Sequence, residues 1–173
     1  MTSYKTLLSN IKTFIFDVDG VMTDGIVVLA SNGDMLRTMN VKDGYALQLA
    51  VKKGYRIIII TGGNSEAVRK RFQGLGIKEV YMAIGNKLEV FHQIVKEDQL
   101  ELNSILYMGD DIPDYQIMAE VGVAACPADA AEEIKKISHY ISPKPGGRGC
   151  VRDVLEQVMK VQELWFDDDG FHW

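Results

Sequence analysis

An α/β fold with a doubly wound parallel sheet is predicted by three features of this 173-residue sequence. Apolar segments of strand length alternate with segments of helical periodicity, which puts successive strands side by side and parallel. The strands read as continuous apolar runs, as they do in a sheet covered on both faces. Three of them stop abruptly at polar residues, at the edge where open parallel sheets bind ligands. The length, with 47% hydrophobic and 25% charged residues, suits one domain over 1–173 with an ordinary core. A net charge of −5 argues against an electrostatic grip on nucleic acid or an anionic membrane.

The elements follow in order. Phe14-Ile15-Phe16 is a buried-strand run ending at Asp17-Val18-Asp19-Gly20. After the turn at Thr23-Asp24-Gly25, residues 25–39 predict a β-hairpin, Ile26–Ala30 against Met35–Met39, with its turn at Asn32-Gly33. Its apolar residues do not strictly alternate, which hints at a subunit interface. Asn40-Val41-Lys42-Asp43-Gly44 reads as a polar turn before a helix from Tyr45 to Lys53, ended by Gly54. Tyr55–Ile60, with four consecutive isoleucines, is a strand ending at Thr61-Gly62-Gly63. Asn64 or Ser65 then caps a helix carrying Val68, Phe72 and Leu75.

Glu79–Met82 is a short strand, and Asn86-Lys87 opens a helix with Leu88, Phe91, Ile94 and Val95 on one face. Ser104–Met108 is a strand stopping at Gly109-Asp110-Asp111. A helix from about Asp114, itself a good N-cap, runs to Gly122, and Val123–Ala125 is the last strand. A Pro- and Gly-rich turn, Ser142–Gly149, precedes a helix with Val151, Val154, Leu155, Val158 and Met159 in register. The tail, 165–173, is acidic and aromatic.

Asp17 and Asp19 point the same way from an extended segment, about 6 Å apart. Like charges that close resist joint ionisation, and a hard divalent cation with oxygen ligands, Mg²⁺ first, is the natural neutraliser. Parallel topology carries Thr61-Gly62, Lys87 and Gly109-Asp110-Asp111 to the same rim. Together they supply what phosphoryl transfer requires. Asp17 would be the nucleophile and Asp19 the general acid, then base. Asp17, Asp110 and the Asp19 carbonyl would hold the metal, and Asp111 would complete its shell or orient Lys87. Thr61, neighbouring backbone N–H groups and Lys87 would neutralise phosphoryl oxygens. Arg148, amid Gly146, Gly147 and Gly149, suits carboxylate or phosphate recognition. Cys126 and Cys150 read as reduced, structural thiols. With no apolar core of signal-peptide length in Met1–Asn10, the cytoplasm is expected.

These motifs, Asp17-Val18-Asp19-Gly20-Val21, Thr61, Lys87 and Gly109-Asp110-Asp111-Ile112-Pro113-Asp114, resemble those of the haloacid dehalogenase superfamily of phosphohydrolases. The resemblance implies a Rossmann-like core, an aspartyl-phosphate intermediate and, from Asp19, a phosphatase or phosphomutase. No large cap fits between Asp24 and Thr61 or between Thr61 and Lys87. The hairpin, Asn40–Tyr45, Gly85-Asn86-Lys87 and Gly146–Gly149 are similar to the capless 3-deoxy-D-manno-octulosonate 8-phosphate phosphatases, which act in lipopolysaccharide precursor synthesis. That likeness implies a homotetramer joined through the hairpins and a tail that can reach a neighbour's site. It also implies substrate contacts at Asn40, Val41, Lys42, Asp43, Gly44, Gln48, Arg71 and Lys87. Many members carry arginine directly after Thr-Gly to pair with the sugar carboxylate; here that position is Gly63. The nine-carbon 2-keto-3-deoxynononate 9-phosphate, or a substrate of the sialic-acid pathway, is therefore the second reading. A phospho-accepting signalling receiver uses similar groups in another order, and lacks the acid/base at Asp19.

Overall fold

Residues 4–166 and 168–171 are described by the structure, a computed structural model. Strand β1 (Thr13–Phe16) lies at the centre of a six-stranded parallel sheet. β4 (Arg56–Ile60) and β5 (Glu79–Tyr81) continue it on one side. β6 (Ile105–Met108), β7 (Val123–Cys126) and β8 (Tyr140–Ile141) continue it on the other. The hairpin strands β2 (Val28–Leu29) and β3 (Met35–Leu36) pair antiparallel as a separate ribbon. It turns at Gly33 as expected, but its ladder is shorter than the apolar runs that announce it.

Alternate side chains of the strands go to opposite faces, and both faces are apolar. Phe14, Phe16, Ile57, Ile59, Leu106 and Met108 share one core cluster with α2 (Val41–Lys52) and α7 (Cys150–Val161). Ile15, Ile58, Ile60, Ile105 and Tyr107 share the other with α4 (Lys87–Glu97), α5 (Tyr115–Met118) and α6 (Glu132–Ile137). Each large apolar side chain buried in this way contributes roughly 1.5–3 kcal/mol. That two-sided cover is what the isoleucine run announces. Two short helices close the architecture, α1 (Tyr4–Leu8) against α7 and α3 (Glu66–Gly74) after β4.

Several elements differ from the sequence reading. Asn40–Gly44 is no turn: Asn40 caps α2, accepting from the backbone N–H groups of Lys42 (2.8 Å) and Asp43 (3.4 Å). Ser65, not Asn64, caps α3. α1, α6 and β8 carry no strong periodic signal and were not expected. The described part of the tail packs on its own chain. The Arg152 guanidinium lies over the Trp165 and Tyr45 rings, and the Tyr45 hydroxyl donates to the Gly170 carbonyl. Asp167, His172 and Trp173 lie outside the described residues, so a reach of the chain's end into a neighbour's site does too.

Candidate active site

The strand register decides which residues meet. Phe16 is level with Ile59 of β4 and Met108 of β6, so the residues just beyond these strand ends share one rim. Asp17 follows β1 directly, its N–H donating to the Met108 carbonyl at 3.1 Å. Thr61 follows β4, and Gly109-Asp110 follows β6. Gly20 turns the chain back with φ +89°, and a Cβ there would meet Asp110 Oδ2 at 1.9 Å. Only glycine allows that close approach of the turn to the carboxylate. Lys87 comes from the first turn of α4, whose N-cap Asn86 accepts from the Glu89 N–H.

Asp17, Asp19, Thr61, Gly62, Lys87, Asp110, Asp111 and Asp114 line one cavity of about 500 Å³. At its floor, the Lys87 ammonium lies 3.0 Å from Asp17 Oδ1 and 2.8 Å from Asp114 Oδ1. The Tyr107 hydroxyl donates to Asp114 Oδ1 (2.6 Å), and the Asp110 N–H donates to Asp114 Oδ2 (3.1 Å). Asp17 Oδ1 also accepts from the Val18 N–H at 2.7 Å. Thr61 Oγ1 accepts from the Gly63 N–H at 3.1 Å, so its own hydroxyl proton can point into the cavity. Asp19 is gripped by Arg37 of the hairpin: Nε donates to Oδ1 (2.6 Å) and a terminal nitrogen to Oδ2 (3.0 Å).

Two members of this set depart from the expectation. Asp111 lines the cavity but makes no ion pair with Lys87 among the described residues, its carboxylate accepting from the Ile112 N–H at the start of a short 3₁₀ turn. The carboxylate that orients Lys87 is Asp114, which makes no cap bond and is 1% exposed. Tyr107 and Arg37 are the other neighbours of the site that sequence reasoning missed.

The contacts expected from the family pattern scatter more widely. Asn40, Val41, Lys42 and Arg148 line a separate groove with Arg152 and Glu156, and Arg148 lies 3.5 Å from Asp24. Asp43 is buried and accepts from the Arg152 N–H, while Gly44 is packed beneath the Arg71 guanidinium. Gln48 is half-buried one turn further along α2, and Arg71 lies beside the hairpin with Arg37. Of those residues, only Lys87 enters the catalytic cavity in this single chain.

Asp17, Asp110 and Asp114 each present a carboxylate oxygen within 4.8 Å of the others. Asp114 already accepts from Lys87, Tyr107 and the Asp110 N–H. Asp17 Oδ2 and the Asp110 carboxylate accept no hydrogen bond among the described residues, and they are the pair left to hold a cation. Burial, then the Asp114 charge, pushes Asp17 up to about 7 against the pull of Lys87. Burial, then Asp17 and Asp114, pushes Asp110 up to about 7. Burial alone would lower the Lys87 ammonium, but Asp17 and Asp114 overcome it and raise it. A cluster so starved of positive charge fits a hard divalent cation with oxygen ligands.

This has a consequence for the metal-free protein. A carboxyl raised by folding keeps in the native state a proton that the unfolded chain has already released. Its stabilising contribution is complete below the unfolded value near 3.8 and is lost as pH rises through about 7. Without metal, Tm is therefore expected to fall by at least about 4 °C between about pH 5.5 and about pH 8.5. Saturating Mg²⁺, or Asp110→Asn, should flatten the fall. A metal-free Tm that rises over that window would contradict the assignment.

The chain's relatives point the same way. Residues 79–152 match the family model of haloacid dehalogenase-like hydrolases. The 3-deoxy-D-manno-octulosonate 8-phosphate phosphatase KdsC of Yersinia pestis is 34% identical over 155 residues, covering 90% of this chain and 83% of the relative. That of Escherichia coli K12 is 35% identical over 153 residues, with coverages of 88% and 81%. The crystal structure of the Moraxella catarrhalis phosphatase, in complex with magnesium ion, phosphate ion and KDO, superposes with a TM-score of 0.90 at 34% identity. It covers 94% of each chain.

Proposed function

We infer the reaction from one premise: the chain belongs to the 3-deoxy-D-manno-octulosonate 8-phosphate phosphatases, within the haloacid dehalogenase-like hydrolases. It is a phosphoric monoester hydrolase that releases the free sugar acid and inorganic phosphate, and Mg²⁺ is its cofactor. The observation that carries the chemistry is the Lys87 ammonium held between Asp17 and Asp114, beside the unsaturated Asp110 carboxylate.

In the proposed mechanism, Asp17 Oδ2 attacks phosphorus in line with the sugar oxygen. The O–P bond to Asp17 forms as the P–O bond to the sugar breaks. Asp19 gives a proton to the departing alkoxide. Water, deprotonated by Asp19, then attacks the aspartyl phosphate; the bond to Asp17 breaks and phosphate leaves. Lys87 and the Thr61 hydroxyl neutralise phosphoryl oxygens, and Asp114 with Tyr107 keeps the ammonium aimed at them. Asp17, Asp110 and the Asp19 carbonyl would hold the cation, which when bound offsets charge on the phosphoryl group.

The eight-carbon ester is the first substrate, and the nine-carbon ester is the second, kept open by Gly63. Measuring kcat/KM with Mg²⁺ across both esters and ordinary sugar phosphates tests this. The octulosonate ester is expected to exceed D-arabinose 5-phosphate by at least about 10²-fold. A flat profile would overturn the substrate reading, and a preference for the nononate would select the second.

We also propose a homotetramer assembled through the hairpins, with the enzyme working in the cytoplasm. Ile26, Val28, Leu29, Met35 and Leu36 form an exposed apolar cluster of the kind that oligomer interfaces cover. Sedimentation of the intact chain as a monomer would set the assembly aside. Cys126 and Cys150 are buried and unpaired, as suits a reducing compartment.

A further inference from the structure

The substrate is an anion at both ends, and the catalytic cavity supplies cations for only one. Among the described residues Lys87 is the sole Lys or Arg lining it, and that ammonium already serves Asp17 and Asp114. Beyond Asp19, Gly62 and Gly63 the cavity continues into a second hollow of about 610 Å³, lined also by Asn64, Ser65, Glu66 and Arg37. Among the described residues Arg37 is the only cation on that wall. Its side chain is 8% exposed, and a third nitrogen donates to the Met35 carbonyl at 2.8 Å, so the guanidinium is built in.

Two features make this arginine more than a surface ion pair. A Cβ on Gly63 would sit 3.3 Å from an Arg37 nitrogen and 3.2 Å from Asp19 Oδ2. The guanidinium therefore fills the space beside Thr61-Gly62 that a side chain at position 63 would enter. It also bonds both Asp19 oxygens, taking one acceptor position on each at the wall of the catalytic cavity. Opening either bond frees that oxygen fully for the sugar oxygen. A second carboxylate offers the same planar, two-oxygen partner, so the guanidinium can change partner without losing its ion pair.

We propose that Arg37 is the specificity residue for the carboxylate end of the substrate, passing from Asp19 to that carboxylate when an acidic ester binds. An ester without a carboxylate gives the guanidinium no new partner and leaves Asp19 held. Selection then acts at the chemical step as well as in binding. The proposal rests on the phosphorylated sugar-acid reading above.

The test compares 3-deoxy-D-manno-octulosonate 8-phosphate with D-arabinose 5-phosphate, which lacks the carboxylate, in wild type and Arg37→Ala. The ratio of the two kcat/KM values is expected to collapse by at least about 10²-fold, mostly through KM of the acidic ester. Arg37→Gln, which can keep a bond to the Met35 carbonyl, should give the same collapse and serves if Arg37→Ala fails to fold. A ratio unchanged in the folded variant, whether both esters fall together or neither falls, would overturn the role of Arg37. A wild-type enzyme without preference for the acidic ester would instead overturn the substrate reading.

Discussion

Replacing Asp17 by asparagine is expected to lower kcat at least about 10⁴-fold while the fold stays intact. An amide oxygen can still accept from the Val18 N–H and Lys87, which hold Asp17 Oδ1 at 2.7 and 3.0 Å. What disappears is the attacking carboxylate and one like charge beside Asp110 and Asp114. Because burial and the Asp114 charge push Asp17 up to about 7, the native state above that pH carries a charge it resists. The metal-free variant should therefore melt no lower than wild type at about pH 8.5, and higher if the repulsion dominates. Activity and stability separate in opposite directions. Retained turnover in a folded variant would remove Asp17 as nucleophile.

Asp114→Ala is expected to fail in both respects. It strips Lys87 of one of two counter-charges, and it leaves the Tyr107 hydroxyl and the Asp110 N–H without an acceptor. Tyr107 is 0% exposed and Asp114 1%, so water does not readily substitute. Breaking a buried, hydrogen-bonded charge set costs about 3–5 kcal/mol, equivalent to about 6–20 °C in Tm for a chain of this size. The misaimed ammonium should cost a further loss of about 10²–10³-fold in kcat. Thermal melting and steady-state kinetics on the same preparation check both. A variant melting within about 2 °C of wild type would contradict the view of Asp114 as the buried anchor of the site.

These two residues were not equally legible in the sequence. Asp17 stands where an apolar run stops, and that alone places it at a strand end. The same rule finds Thr61 and Asp110, because register in a parallel sheet brings such ends together. Asp114 is harder, since an aspartate at the start of a helix looks like an N-cap whether or not it caps. Only the fold shows Lys87 and Tyr107 arriving from α4 and β6 to claim it. Arg37 is harder still: an arginine in a hairpin reads as a solubilising charge until the ribbon folds over Asp19.

The misread segment, Asn40–Gly44, fails for a related reason. Glycine there suggests a turn, yet Gly44 sits inside α2, capped from Asn40 and lying under the Arg71 guanidinium. Local propensity carries no trace of that tertiary setting. Short elements such as α1 and β8 escape for want of length, since too few residues repeat to reveal a period. The isoleucine strand and α7, both strongly patterned, read correctly from the residues alone.

Rapid acid quench of the Mg²⁺-loaded enzyme with 3-deoxy-D-manno-octulosonate 8-phosphate, followed by peptide mass spectrometry, probes the attacking residue itself. A transient phosphoryl group on the peptide bearing Asp17, formed and consumed at rates compatible with turnover, is the expected result. Turnover with that peptide unmodified throughout, or with the group carried on another residue, would contradict attack by Asp17.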